Sequence, residues 1–275
     1  MHVIAVANQK GGVAKTTTCQ SLAAAFAQQG RRVLAVDLDP QANLAIGFSI
    51  DAEPATASTY EVLTTRGVSL EQAALPAPIR GLERLAVVPA GARLAQAEAE
   101  LLGQVGFDEV LKHRLRAAAG SFDLALIDCP PSLGALTINA LGAADLVIVP
   151  VQCEFFSARG VVKLLDLVDL VRERRNPSLA VRLVPTLYDQ RNGICKQVLG
   201  ELRREFGDEV SQVAVGVDTR VREAQARGLP VTTYAPGARA SEAYRALARD
   251  VGALLEARAG QTMQREEVSD VQQAA

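Results

Sequence analysis

Three groups of residues have the types and spacing that chemistry on a phosphate ester requires. Residues 2–18, HVIAVANQKGGVAKTTT, set a glycine-containing loop between an apolar run and a Lys-Thr-Thr triplet. Backbone N–H groups of Gly11, Gly12, Val13 and Ala14, with the helix N-terminus that follows, converge where an anion is favoured. Lys15 is placed to reach β- and γ-phosphates, the Thr16 hydroxyl to bind Mg²⁺, and Thr17 to stand beside them. The second group is Asp37 and Asp39, and the third is Asp128, which closes the apolar run LALI. Asp128 is the carboxylate expected to hold Mg²⁺ through a water, since that ion keeps several waters. Asp39 is assigned to orient the water that attacks a γ-phosphate, and Asp37 to support the loop and the metal shell.

Two features depart from an ordinary phosphate loop. A second lysine, Lys10, precedes the glycines, and Ala14 stands where the pattern has glycine. An alanine forced to φ > 0 is strained by roughly 1 kcal/mol or more, whereas an alanine already in the helix is not. The sequence leaves both readings open.

Positioning these groups takes alternating strands and helices. Val3–Val6, Val33–Val36, Leu85–Val88, Phe122–Asp128, Leu146–Val151 and Val181–Leu187 read as buried strands. Helices are expected after Lys15 and at about 60–65, 92–102, 107–119, 134–143, 158–174, 194–206, 220–227 and 239–257. The remainder of 49–83 is expected to be irregular. Strands apolar on both faces predict a doubly wound, mostly parallel α/β sheet with helices on both sides. Ligands of such sheets bind outside the carboxyl ends of the strands, where all three aspartates fall. The division expected is one domain over 1–258 and a disordered tail over 259–275, which lacks an apolar stripe.

Composition narrows the class. In 275 residues, 49% are hydrophobic and 22% charged, so the chain is globular and large enough for a sizeable core. No apolar run spans a bilayer and no leader precedes the first strand, so the chain reads as cytoplasmic. Cys19, Cys129, Cys153 and Cys195 are scattered and read as reduced core thiols. Net charge is −2, which excludes a uniformly basic nucleic-acid binder. Residues 151–258 nevertheless carry 17 Lys and Arg against 14 Asp and Glu, so a basic patch is placed in that half.

KGGVAKTT with its leading lysine, VDLDPQAN and LALIDCPPSLG resemble the deviant Walker ATPases of the ParA/MinD group. VIVPVQCEFFSARGVVKLL, RNGICKQVLGELRREFG and VREAQARGLPVTTYAPGARASEAYRALARDV look like the ParA/Soj chromosome- and plasmid-partitioning branch. The likeness runs from Met1 to about Leu255. It implies a P-loop NTPase fold and a weak ATPase that uses ATP and Mg²⁺. It also implies a homodimer with two ATP molecules between subunits, in which Lys10 reaches the partner's nucleotide and Gly11 lies at the close contact. The ATP-bound dimer of that family binds double-stranded DNA without sequence preference, and a ParB-type centromere-binding protein stimulates hydrolysis. The expected location is the nucleoid.

Matching positions for DNA contact are Arg191 and Arg220, with Lys196 and Arg222 added from charge and proximity. The family's adenine-side Pro-x-Asn loop appears as Gly216-Val217-Asp218, leaving Asp218 as the acceptor for the adenine amino group. The alternatives are a MinD-like membrane-associated regulator and a metabolic ATP-dependent enzyme on the same fold. The acidic, polar QTMQREEVSDVQQAA ending argues against an amphipathic membrane helix.

Overall fold

The β-branched runs at the centre of the sequence have no polar face, and each becomes a strand buried on both sides. The computed structural model describes residues 1–51, 57–154 and 157–273. The order begins β1 (His2–Val6), α1 (Lys15–Gln28), β2 (Val33–Asp37), α2 (Asn43–Gly47), α3 (Thr59–Thr64), α4 (Leu70–Ala73) and β3 (Leu75–Pro76). It continues through β4 (Leu85–Val88), α5 (Leu94–Leu102), α6 (Val110–Ala117), β5 (Leu124–Asp128), α7 (Ala135–Ala143) and β6 (Leu146–Gln152). It ends with α8 (Ser157–Arg174), β7 (Ala180–Thr186), α9 (Gly193–Phe206), α10 (Thr219–Gln225), α11 (Val231–Tyr234) and α12 (Arg239–Gln273).

Seven strands form one sheet in the order β3-β4-β2-β5-β1-β6-β7, with only the short β3 antiparallel to its neighbour. Alternation along each strand divides the core in two. Ala5, Val36, Ile127 and Val149 face the layer of α3, α5, α6, α7, α8 and α9. Ile4, Ala35, Leu126 and Ile148 face α1, α2 and the α10–α12 group. The sheet is therefore doubly wound and covered on both faces, as its all-apolar strands require.

Register sets the site. Val6 and Asp37 both pair with Asp128, so β1, β2 and β5 end level with one another. Two short elements in the stretch expected to be irregular, α4 and β3, follow a Ser69-x-x-Gln72 capping box; Ser58-x-x-Glu61 does the same for α3. The last helix continues to Gln273, past the 257 expected, whereas the core itself draws on residues up to Leu255.

Candidate nucleotide site

The loop between β1 and α1 is fixed before any ligand arrives. Asn8, 3% exposed, donates from Nδ2 to the Pro150 carbonyl (2.8 Å) and accepts the Lys10 N–H on Oδ1 (2.9 Å). The Thr186 hydroxyl donates to the Val13 carbonyl at 3.0 Å, so β6 and β7 hold the loop at both ends. Gly12 has φ +74° and Ala14 φ +70°, ψ +34°. Ala14 is thus in the left-handed region, which costs an L-residue about 1–2 kcal/mol. This resolves the question the sequence left open: the alanine is strained. Helix α1 begins immediately after it with no side-chain cap and no acidic residue in its first turn. Its first N–H groups are therefore available to an anion.

Beneath the loop the charged groups are buried together. Lys15 is 7% exposed and donates from Nζ to the Lys10 carbonyl at 3.1 Å. Burial lowers its pKa, against the pull of Asp128, Asp39 and Cys129. Asp128 is fully buried, and neither carboxylate oxygen accepts a hydrogen bond with good geometry. Burial raises its pKa, while the nearby Thr16 hydroxyl and Lys15 act the other way. A buried carboxylate without partners beside a hydroxyl is an oxygen donor set that suits a hard divalent cation. The residues fit Mg²⁺.

Asp37 and Asp218 are both bonded to backbone N–H groups. The Asp37 oxygens accept from the N–H groups of Asp39 (3.0 Å) and Leu44 (3.1 Å). With each oxygen accepting a backbone N–H, Asp37 shapes the β2–α2 turn. Burial followed by the neighbouring Asp128 pushes its pKa well up. The turn delivers Asp39, 9% exposed, to the cavity, its Oδ1 accepting from the Gln41 N–H at 3.0 Å. Asp218 caps α10 by accepting from Arg220 N–H (3.0 Å) and ties down α12 through Ala240 N–H (3.2 Å). It lines neighbouring hollows and not the cavity at the phosphate loop. These two bonds join the start of α10 to the start of α12.

That cavity, about 440 Å³, brings together Gly11, Gly12, Ala14, Lys15, Thr16, Thr17 and Asp39. Sequence reasoning missed Gln20, Asn43, Ile46, Gly47 and Gln225, which with Pro131 complete its wall. Gln225 reaches it from α10, donating to the Thr17 hydroxyl at 2.7 Å. No local pattern announces this contact across 208 residues; only the packing of α10 on α1 creates it. Lys10 points away from the cavity, its Nζ 3.1 Å from Gln152 Oε1 and 3.2 Å from Glu154 Oε2 at the end of β6. A Cβ added to Gly11 would meet nothing within 4 Å, so the loop crest is clear.

Arg191 and Arg220 are exposed beside this end of the sheet, and both are ion-paired. Arg191 bonds Asp189, and Arg220 bonds Glu223 at 2.6 Å. Lys196 on α9 and Arg222 on α10 are exposed but line none of the hollows around them. Among the described residues no helix is long and apolar enough to cross a membrane, and all four cysteines are buried.

Residues 1–181 match the protein family described as an AAA domain. The sporulation initiation inhibitor protein Soj of Bacillus subtilis is 39% identical over 252 residues, covering 91% of this chain and 98% of that protein. The chromosome partitioning protein ParA of Caulobacter vibrioides is 41% identical over 254 residues, 91% of this chain and 94% of its own length. A crystal structure from Mycobacterium smegmatis, described as cobyrinic acid a,c-diamide synthase with bound ADP and magnesium, superposes with a TM-score of 0.78. It is 39% identical and covers 90% of this chain and 93% of its own.

Proposed function

Because the chain belongs to the family of the partitioning ATPases ParA and Soj, we propose that it is a MgATP-switched DNA partitioning ATPase. The observation that carries this reading is the convergence of Lys15, Thr16, Asp39 and the buried Asp128 below an uncapped helix N-terminus. Loop N–H groups and the Lys15 ammonium hold the β- and γ-phosphates and neutralise charge that grows during transfer. Thr16 and Asp128 hold Mg²⁺, which when bound supplies further charge neutralisation between the phosphates. Asp39, at the cavity wall, accepts a hydrogen bond from the attacking water and aligns it.

Completion of the site takes a second subunit. Lys10 crosses to the partner's nucleotide, exchanging Gln152 and Glu154 for phosphate oxygens, and the open crest at Gly11 lets the two loops approach. The dimer holds double-stranded DNA without sequence preference through basic residues near Arg191 and Arg220. A ParB-type protein then stimulates hydrolysis and resets the monomer.

Retention of plasmid DNA compared without nucleotide, with ADP and with ATP tests the reading. Retention only with ATP supports it; equal retention in all three, or none, overturns it. The name of the Mycobacterium smegmatis structure favours a second reading, in which ATP activates a carboxylate for amide formation. ATP turnover that requires a carboxylate acceptor and ammonia, and ignores DNA, would establish that alternative.

A further inference from the structure

Three arginines at the carboxyl end of the sheet differ in what already holds them. Arg191 donates from Nε and Nη2 to the two oxygens of Asp189, each at 3.1 Å. Arg220 donates from Nη1 to Glu223, which also accepts from the Tyr234 hydroxyl at 3.0 Å. Arg239, the first residue of α12, is exposed and makes no hydrogen bond or ion pair with a described residue, although its charge, like that of Arg191, acts on the Asp189 carboxylate. It lines two adjoining hollows. One, of about 500 Å³, it shares with Arg191, and the other, of about 640 Å³, with Arg220. Asp218 stands in the wall of both, its oxygens already turned to the N–H groups of Arg220 and Ala240.

An arginine held by a carboxylate gains from a phosphate only the difference between two similar partners. One that no hydrogen bond holds has less to give up. We propose that Arg239 is the leading phosphate contact of the DNA-holding surface, with Asp189 and Glu223 as built-in competitors that restrain Arg191 and Arg220. The inference rests on the partitioning reading and deepens it. A polyanion fits better than a single phosphate because the hollows adjoin, so repeated phosphates can occupy both and displace each carboxylate in turn. The competing acids also set the strength of binding. A surface that must release DNA at every cycle is served by contacts that return to an internal partner.

Fluorescence anisotropy of the ATP-loaded full chain on a random-sequence duplex of about 60 base pairs, titrated over a range of KCl, tests this. Arg239→Ala should weaken binding about tenfold and reduce the salt slope by about one. Arg191→Ala should cost less. Asp189→Asn should tighten binding a few-fold by freeing Arg191. Arg239→Lys should restore most of the affinity, since a phosphate takes a point charge nearly as well. Wild-type affinity in Arg239→Ala would overturn the inference and leave the partitioning reading intact. Equal loss in Arg239→Ala and Arg239→Lys would also overturn it, showing a structural role. Wild-type protein that binds phosphatidylserine vesicles with ATP but not the duplex would overturn the partitioning reading itself.

Discussion

Strand β5 is flanked by an aspartate at each end, and the two exist under opposite conditions. Asp123, just before the strand, takes the Arg32 N–H at 2.8 Å and the Arg32 guanidinium at 2.6 and 3.1 Å. These contacts, led by the guanidinium hydrogen bond, lower its pKa to about 2. Asp128, the last residue, is wholly buried, with the Thr16 hydroxyl beside it and no hydrogen bond of good geometry to either oxygen. The backbone shows the same contrast. Ala14 and Ala42 hold left-handed conformations at the carboxyl end, whereas His2, Arg32 and Asp145 meet ordinary partners at the other. One end of the sheet is built for stability, and the other keeps charge and strain in reserve for a ligand.

The largest expected effect tests whether the reserved end does chemistry. Asp39→Ala removes the carboxylate that aligns water but leaves Lys15, Thr16 and Asp128 in place. ATP binding should persist while turnover falls by roughly 10²–10⁴-fold, and the ATP-bound dimer should accumulate. Phosphate release measured beside sedimentation reads both. Normal hydrolysis would take Asp39 out of its role.

Asp128→Asn breaks the contrast directly. The ligand-free protein should become more stable by about 1–3 kcal/mol, because a desolvated buried carboxylate is removed. A carboxylate whose folded pKa is raised contributes stability below its unfolded pKa of about 3.8 and loses it as pH rises through the raised value. The gain in the variant should therefore grow with pH. Mg²⁺-dependent nucleotide affinity should fall roughly 10–100-fold. Thermal melts without metal, paired with nucleotide titrations at fixed Mg²⁺, report the two sides. A variant less stable than the wild type at every pH would show that Asp128 is satisfied in solution.

What the sequence disclosed follows the same division. Strands with no polar face declared a sheet covered on both sides, and Gly11, Lys15, Thr16 and Asp128 sit within local patterns whose backbone consequences are fixed. Asp37 and Asp218 were visible as acids at strand and loop ends, but which atoms they bond depends on turns that only tertiary packing sets. The closeness of Gln225 to Thr17, and of Arg239 to both Arg191 and Arg220, comes from α10–α12 folding back on α1. No window of sequence contains that information. The strain at Ala14 lay between: the residue was conspicuous, its φ was not.

Ala14→Gly should relieve that strain, with a net stabilisation of about 1 kcal/mol after the added freedom of the unfolded chain. Nucleotide affinity should drop slightly, because a looser loop orders its N–H groups less well before binding. Denaturant midpoints and nucleotide titrations measure these together. Lower stability in the glycine variant would show that the loop leaves the left-handed region in solution.

The smallest effect belongs to the paired end. Asp123 is one-third exposed, so water screens its ion pair with Arg32 and the pair adds little near neutral pH. Its pKa is depressed, so its contribution is present above the unfolded value of about 3.8 and is lost as pH falls through about 2. Asp123→Asn should therefore leave nucleotide affinity unchanged and flatten the acid limb of the stability profile between those values. Acid titration of the wild type and the variant, followed by circular dichroism, separates the limbs. If Asp123→Asn altered nucleotide affinity as strongly as Asp128→Asn, the two ends of β5 would be energetically coupled, and the division of labour along that strand would fail.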